Sequence, residues 1–160
     1  MESITISKID DYIVKRILGA GGQAIVYLAH NAAGEYYAIK VFENLKDLSN
    51  EVVNLKGFKH DNIVLLHEYK ADGKKYLNGN ESVCYYAVLS FELGGELYDF
   101  ISTGPFPEPV VRMYFEMLMN GIEEMQKKGV FHRDLKPENI FLSKEFVLKI
   151  ADFGFSKNIT

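Results

Sequence analysis

The sequence predicts an α+β fold in which strands dominate the first half and helices the second. Residues 12–42 contain short β-rich runs separated by the glycine-containing turn signals GAGG and NAAG. Residues 110–125 instead carry apolar side chains at helical spacing. The chain has 160 residues, of which 48% are hydrophobic and 25% charged, so its composition is that of an ordinary globular protein.

The first half is predicted to hold five antiparallel strands and one helix. The predicted strands are Tyr12–Leu18, Ala24–His30, Glu35–Phe42, Ile63–Tyr69 and Val83–Phe91. Leu48, Val52 and Leu55 recur at helical intervals, which predicts a helix over residues 47–58 with Asp47 or Ser49 as its cap. The polar stretch 71–82 is predicted to be an irregular loop.

The second half is predicted to contain one long helix, which starts at Pro107 or Pro109 and ends at Gly129. Its apolar stripe is predicted to be core, and comprises Val110, Val111, Met113, Tyr114, Met117, Leu118, Ile122 and Met125. Two short strands, 139–142 and 146–150, are expected to follow around a turn.

Composition disfavours several classes of function. The net charge is −4 and the Lys and Arg residues are scattered, so no nucleic-acid partner is expected. No segment approaches the roughly 20 apolar residues of a membrane span, so no membrane partner is expected either. The single cysteine, Cys84, is interpreted as a packed thiol in a reducing compartment, which predicts a cytoplasmic protein, with the nucleus as an alternative.

The strongest chemical signal is the run HRDLKPENIFL at 132–142, followed by the triplet DFG at 152–154. Asp152 lies eighteen positions after Asp134. This pairing resembles the catalytic loop and metal-binding turn of the protein kinase family. The resemblance implies that Asp134 accepts the proton of a substrate hydroxyl, that Lys136 offsets charge on the transferred phosphoryl group, and that Asn139 and Asp152 bind Mg²⁺.

A glycine-containing segment near the N-terminus resembles the phosphate-binding loop of the same family, although alone it could be a hairpin turn. Glycine permits positive φ angles and a close approach of backbone amides to phosphate oxygens. Ala24 stands where the family pattern has its third glycine. The resemblance implies contacts with ATP from Leu18, Gly19, Ala20, Gly21, Gly22, Gln23, Ala24, Ile25 and Val26.

Lys40 follows two apolar residues at the end of a predicted strand and resembles the kinase lysine that binds the α and β phosphates of ATP. The alternative is an edge lysine whose ammonium group reaches solvent. Glu51 resembles the helical glutamate that pairs with this lysine. Only eleven positions separate the two residues, which is a shorter connection than is usual in the family.

The segment VLSFELGGELYDFI, at 88–101, resembles the hinge between the two lobes of a kinase. Aligned on its two glycines, it implies that Leu89 closes the back of the nucleotide pocket and that Glu96 lies near the ribose. The Ser90 carbonyl and the Glu92 amide are the implied adenine contacts. The implied apolar contacts of the adenine ring are Val26, Ala38 and Phe141.

Lys136-Pro137-Glu138 resembles serine/threonine rather than tyrosine kinases, and GGELYDFI and ADFGFSK are similar to the calcium/calmodulin-dependent kinase group. The resemblance implies an incomplete kinase domain at 10–160, with an N-lobe at 10–92 and a partial, mainly helical C-lobe at 93–160. The chain is expected to be a fragment or a short product without an activation segment. The apolar side of 110–125 is then expected to face solvent, or to be covered by a partner or a missing chain segment.

The residues leave three functions open. The first is transfer of the ATP γ-phosphoryl group to Ser or Thr hydroxyls of a protein substrate. The second is a nucleotide-binding, pseudokinase-like regulator without transfer activity. The third is a kinase of small metabolites, which Lys136 argues against because such relatives lack a lysine in this context.

Overall fold

A computed structural model describes residues 6–159, which divide into two units. The first unit comprises residues 6–52 and Leu66–Phe91, and the second comprises Val53–Leu65 and residues 92–159. The division predicted from the sequence placed Val53–Leu65 with the first lobe, whereas its contacts lie with the second unit. No helix in this described range is long and apolar enough to cross a membrane.

Antiparallel strands and most of one helix form the first unit. The helix α1 spans Leu45–Leu55, and its residues from Val53 onward belong to the second unit. The strands are β1 Ile6–Ile9, β2 Tyr12–Ala20, β3 Ala24–His30, β4 Tyr36–Phe42, β5 Leu66–Leu77 and β6 Asn80–Ser90. Their order, β1-β2-β3-β4-β6-β5, closes into a barrel because β5 pairs with β1. The α+β prediction is confirmed. The predicted number of five strands was one too few, because β1 has four residues and is too short to show an alternation of apolar and polar side chains.

The barrel strands present two different apolar faces. Side chains of one parity fill the barrel interior, among them Ile39, Tyr86 and Val88. Side chains of the other parity, including Phe42 and Ala87, pack against Leu48 and Val52 of α1. The central strands are therefore apolar on both faces, which is why the sequence reads there as nearly continuous apolar runs.

Asn44 sets the start of α1, two residues before the predicted start. Its side-chain oxygen accepts a hydrogen bond from the Asp47 N–H at 2.9 Å, and its amide donates to the Asp47 carboxylate at 2.9 Å. This reciprocal arrangement satisfies one of the N–H groups that a helix start leaves without a partner. The predicted caps, Asp47 and Ser49, therefore lie inside the helix.

The stretch predicted as an irregular loop at 71–82 is instead the end of a long hairpin. β5 continues to Leu77 and β6 begins at Asn80, so only Asn78 and Gly79 lie between them. Their φ angles are 50° and 79°, as a two-residue turn of type I′ requires. The Asn-Gly dipeptide was the sequence signal for this turn, and the polar residues around it obscured the strands.

Asp10 fastens β1 to this hairpin. Its carboxylate accepts hydrogen bonds from the Tyr86 hydroxyl at 2.6 Å, the Lys70 ammonium at 3.1 Å and the Lys74 backbone N–H at 3.0 Å. Burial alone would raise the pKa of this carboxyl, but the three donors together lower it below its ordinary value of 3.8.

Two helices and five short strands form the second unit, with a 3₁₀ turn at Pro137–Asn139. The elements are β7 Gly95–Glu96, α2 Leu97–Ser102, α3 Glu108–Lys127, β8 Val130–Phe131, β9 Ile140–Leu142, β10 Leu148–Ile150 and β11 Lys157–Asn158. The order β10-β9-β7 makes one small sheet, and β11 pairs with β8 in another. The segment 132–139 thus follows a strand of one sheet, β8, and leads into a strand of the other, β9.

The helix α3 is buried only toward its C-terminal end. A Cβ atom at Gly121 would lie 2.7 Å from the Ile150 side chain, so the helix approaches β10 closely there, and Met125 is buried. Val111, in contrast, is 49% exposed and Met113 is also exposed. The prediction that the whole stripe is core is wrong for these two residues, whose exposure agrees with the predicted solvent-facing apolar surface.

Candidate active site

Lys40 and Glu51 form a buried ion pair within the first unit. The Lys40 Nζ lies 2.8 Å from Glu51 Oε2 and 3.0 Å from Oε1, so both carboxylate oxygens contact the ammonium group. Lys40 lies on β4 and Glu51 on α1, where it is 1% exposed. A charge this far from water requires a close partner, and the alternative of an edge lysine reaching into solvent does not describe this geometry.

Apolar side chains share the face of the sheet that carries Lys40. Strand register pairs Val26 with Lys40 and Ala38 with Leu89, and each pair lies on the α1-facing side because the intervening Ile39 points into the barrel. The structure therefore brings together three predicted adenine-pocket residues beside the ammonium group.

The glycine segment is the turn between β2 and β3. The Gly21 N–H donates to the Ala24 carbonyl at 3.0 Å. Positive φ angles were expected here, but Gly19, Gly21 and Gly22 have none, and a Cβ atom at Gly19 or Gly22 would meet nothing within 4 Å. The fold itself therefore does not require glycine at these two positions. Leu18, Gly19 and Ala20 end β2, Gly21, Gly22 and Gln23 connect the strands, and Ala24, Ile25 and Val26 begin β3.

The predicted hinge begins at the end of β6, where Ser90 is held from the side. The Nε2 of His67 lies 2.9 Å from Ser90 Oγ, within hydrogen-bond distance. Further along, Gly94 is required by packing, because a Cβ atom there would lie 2.5 Å from the Leu142 carbonyl oxygen. Gly95 has a φ of 90°, which favours glycine.

The three remaining nucleotide residues of the prediction, Glu92, Glu96 and Phe141, belong to the second unit. Glu96 on β7 and Phe141 on β9 are cross-strand partners. Burial raises the pKa of the Glu96 carboxyl, and the nearby carboxylates of Asp99 and Glu138 raise it further. Burial also raises the pKa of Glu92, against the opposing effect of the Lys149 ammonium group.

The catalytic-loop residues are joined by a closed ring of hydrogen bonds. The Asp134 N–H donates to His132 Nδ1 at 3.1 Å, and His132 Nε2 lies 2.6 Å from the Ala151 carbonyl oxygen. The Ala151 N–H donates to the Asn139 carbonyl at 3.0 Å. The Asn139 side-chain amide closes the ring by donating to Asp134.

His132 connects the two motifs by hydrogen bonds, which the sequence did not predict. Since its Nδ1 accepts a hydrogen bond from Asp134, the proton must be on Nε2, which donates to Ala151. The ring is also packed edge to face on Phe153, with centroids 5.0 Å apart. The adjacency of this histidine to Arg133 and Asp134 in the motif was the signal that could have indicated it.

The side-chain contacts of Asp134 with Asn139 and Lys136 are made by one carboxylate oxygen, Oδ2. Oδ2 accepts from the Asn139 amide at 3.0 Å and lies 3.6 Å from the Lys136 ammonium nitrogen. Neither contact uses Oδ1. Because Asn139 also bonds the Asp134 backbone carbonyl at 2.9 Å, the carboxylate is fixed relative to its own main chain.

Asn139 and Asp152 offer oxygen donors suited to Mg²⁺. The Asn139 amide nitrogen faces Asp134, which directs its side-chain oxygen the other way, and the bond from Ala151 keeps the neighbouring Asp152 beside Asn139. Hard oxygen donors, few from protein and the rest from phosphates and water, are the set that Mg²⁺ prefers. Residues 6–159 contain no cluster of three or more His, Cys, Asp or Glu side chains that could hold a metal, so a closed all-protein site of that kind is not present among them.

The model of the protein kinase domain matches residues 12–160. The chain belongs to the protein kinase family. This kinase is 39% identical over 156 residues to CBL-interacting protein kinase 26 of Oryza sativa subsp. japonica, a match that covers 92% of this chain and 30% of that protein. It is 37% identical over 154 residues to CBL-interacting serine/threonine-protein kinase 20 of Arabidopsis thaliana, covering 91% of this chain and 33% of that protein.

The kinase therefore spans about a third of the length of the curated relatives that it matches. The predicted family and fold class are confirmed by these matches. The roles assigned to individual site residues stay predictions.

Proposed function

We propose that this kinase binds ATP with Mg²⁺ and transfers the γ-phosphoryl group to a serine or threonine hydroxyl of a protein substrate. The observation that carries the proposal is the hydrogen-bonded ring of the catalytic loop. It fixes the Asp134 carboxylate through Oδ2 and leaves Oδ1 outside both of its contacts with Asn139 and Lys136.

The chemical step follows from this geometry. As the substrate hydroxyl oxygen forms its bond to the γ-phosphorus, the bond from that phosphorus to the bridging oxygen of ADP breaks, and Asp134 Oδ1 takes the hydroxyl proton. The Lys136 ammonium offsets negative charge on the transferred group. General base catalysis of this kind contributes about 10²–10⁴-fold in rate.

Asn139 and Asp152 are the residues that would hold the metal ion. When bound, Mg²⁺ supplies charge neutralisation on the phosphate oxygens. The protein contributes the fixed direction of the two ligands, through the Asn139 amide on Asp134 and the backbone bond from Ala151 to Asn139. No third protein ligand is needed when phosphates complete the coordination.

The nucleotide contacts are proposed for the glycine turn, Lys40 and the apolar face beside it. Glycine at Gly19 and Gly22 is explained by neither a positive φ angle nor a steric conflict, so close approach of phosphate oxygens to the backbone remains the physical reason for it. Val26, Ala38 and Leu89 provide apolar surface for adenine, with Phe141 as a further contact. The Ser90 carbonyl, the Glu92 amide and Glu96 complete the set.

The substrate class rests on Lys136-Pro137-Glu138 and on the resemblance to relatives named serine/threonine kinases. We place the kinase in the cytoplasm, with the nucleus as an alternative, because its one cysteine is a buried free thiol. The exposed apolar residues of α3 would be covered by a partner or by another segment of a longer protein.

Transfer of radioactive phosphate to a generic Ser/Thr peptide, measured beside nucleotide binding, tests the proposal. Asp134→Asn should lower transfer by about 10²–10⁴-fold and leave nucleotide affinity near that of the parent. The matched control is Asp72→Asn, which neutralises an exposed carboxylate on the β5–β6 hairpin and should change neither quantity. Binding without transfer in the parent chain would instead support the nucleotide-binding regulator. A parent chain that binds no nucleotide would overturn both.

A further inference from the structure

Asn54, on the last turn of α1, has a buried side chain that reaches the segment following the DFG triplet. Its Nδ2 donates a hydrogen bond to the Ser156 carbonyl at 3.1 Å, across 102 positions of sequence. Asn54 is 3% exposed and Ser156 is 1% exposed. Burying a polar side chain lowers stability unless its hydrogen bonds are made. The bond from Asn54 should therefore restrain the backbone segment that accepts it.

The bond ends on a tight turn. The Ser156 N–H donates to the Phe153 carbonyl at 3.1 Å, and the Ser156 hydroxyl donates to the same oxygen. Phe153 is itself fully buried, and its ring packs on His132 and on Phe58. Holding the Ser156 carbonyl therefore holds the backbone from Phe153 to Ser156.

Asp152 immediately precedes this turn and has a backbone conformation that needs support. Its φ is 56°, in the left-handed region that residues with a side chain adopt reluctantly. Such conformations persist only where the surrounding structure holds them. On the N-terminal side the support is His132, whose Nε2 donates to the Ala151 carbonyl at 2.6 Å. On the C-terminal side it is Asn54, acting through Ser156.

We propose that Asn54 is a positioning residue, which fixes the turn after Asp152 and thereby directs the Asp152 carboxylate toward the Mg²⁺ that it shares with Asn139. The inference rests on the proposed function. The contact that carries it lies within the second unit, since Asn54 and Ser156 both belong to that unit.

The experiment compares two buried asparagines that make the same kind of bond. Asn54→Leu keeps side-chain size and helix propensity but removes the amide donor. The matched control is Asn62→Leu, since Asn62 is 6% exposed and donates to the Leu148 carbonyl at 3.0 Å, at the start of β10 rather than on the turn. Both substitutions should lower the melting temperature.

Only Asn54→Leu should change the response to metal. Loss of a residue that orients a metal ligand typically weakens metal affinity about 10–100-fold, so the free Mg²⁺ concentration that half-maximally tightens nucleotide binding should rise at least about tenfold in Asn54→Leu and less than about twofold in Asn62→Leu. Amide hydrogen exchange at Gly154 and Ser156 should quicken in Asn54→Leu alone. If that variant does not fold, Asn54→Ala is used in the same comparison.

The outcomes separate the two proposals. Unchanged exchange at Gly154 and Ser156 in the folded Asn54 variant, or an unchanged Mg²⁺ midpoint, would overturn the positioning role while leaving the proposed function standing. A parent chain whose nucleotide affinity does not respond to Mg²⁺ would overturn the proposed function and the metal part of this inference. Equal Mg²⁺ shifts in both asparagine variants would assign Asn54 to general stability.

Discussion

The residues proposed to act in catalysis are held in different ways in the two units. In the first unit, Lys40 forms an ion pair with a carboxylate that is almost fully removed from water. In the second unit, Asp134 and Asn139 belong to a ring of hydrogen bonds that passes through His132 and Ala151. The first case thus includes a contact between opposite charges, whereas the second is a set of hydrogen bonds.

This difference should determine how much stability a substitution removes from each unit. Removing one partner of a buried ion pair leaves a desolvated charge, whose cost is larger than the net gain from the pair. Removing one member of a hydrogen-bonded ring leaves neutral groups that lose smaller amounts and can partly rearrange. Substitutions of matched size should therefore destabilise the first unit more than the second.

The largest effect is expected for Lys40→Met. The substitution takes the ammonium group away from a buried carboxylate, so the free energy of unfolding should fall by about 3–5 kcal/mol. Urea denaturation measures it. The double variant Lys40→Met, Glu51→Leu removes both charges and should regain most of the loss. Equal destabilisation of the single and double variants would contradict the cost assigned to the buried Glu51 charge once the Lys40 ammonium group is removed.

A smaller loss is expected for His132→Phe, which keeps an aromatic ring beside Phe153 but removes both hydrogen bonds of the imidazole. The Asp134 N–H and the Ala151 carbonyl lose their partners, so the free energy of unfolding should fall by about 2 kcal/mol. Faster amide exchange at Asp134 would accompany it. His67→Phe is the control, because that exposed imidazole contacts the Ser90 hydroxyl, phenylalanine keeps a ring beside Tyr37, and the substitution should cost less. If His132→Phe lowered the free energy of unfolding as much as Lys40→Met, the expected difference between the two units would be wrong.

Tyr86→Phe tests, inside the first unit, whether a carboxylate with several hydrogen-bond donors loses little stability when one donor is removed. Asp10 retains Lys70 and Lys74, so the cost should be about 1 kcal/mol at neutral pH. Because the folded pKa of Asp10 lies below 3.8, its contribution to stability is present above that value and is lost as pH falls through the lower folded pKa. The variant should therefore show a weaker loss of stability with acid. Denaturation curves between neutral and strongly acidic pH measure this difference. If the variant and the parent lose stability equally with acid, the Tyr86 hydroxyl does not contribute to the lowered pKa of Asp10.

The smallest effect is a rate of chemical labelling. Burial raises the pKa of the Cys84 thiol to about 11, so the folded first unit should react slowly with iodoacetamide at pH 8. Lys40→Met should accelerate this labelling because it destabilises the unit that contains Cys84. His132→Phe should accelerate it less. Equal labelling rates in the two variants would show that the units do not open separately.

Local patterns predicted much of this architecture. β3 occupies Ala24–His30 as predicted, because its residues alternate between two apolar faces and glycine turns limit it at both ends. The catalytic loop was recognisable because its polar residues must converge within a few positions, which fixes their spacing. The partnership of Lys40 with Glu51 followed from the resemblance to the family's motifs, although the eleven positions between them are fewer than is usual there.

Features set by distant contacts were harder to predict. Nothing near Asn54 in sequence indicates that its amide meets Ser156, since the two are far apart along the chain. Asn44 was passed over as a cap because Asp47 and Ser49 are also common caps. Val111 and Met113 match a core pattern, and only the placement of neighbouring elements decides that they are exposed.

Closure of the first unit's barrel has a practical consequence for handling this protein. Strands at a sheet margin offer unpaired N–H and C=O groups on which another molecule can add a strand. Between Ile6 and Ser90, the pairing of β5 with β1 uses those groups internally. Trimming the chain past Ile9 would release both β2 and β5 as templates, so soluble preparations should retain the four residues of β1.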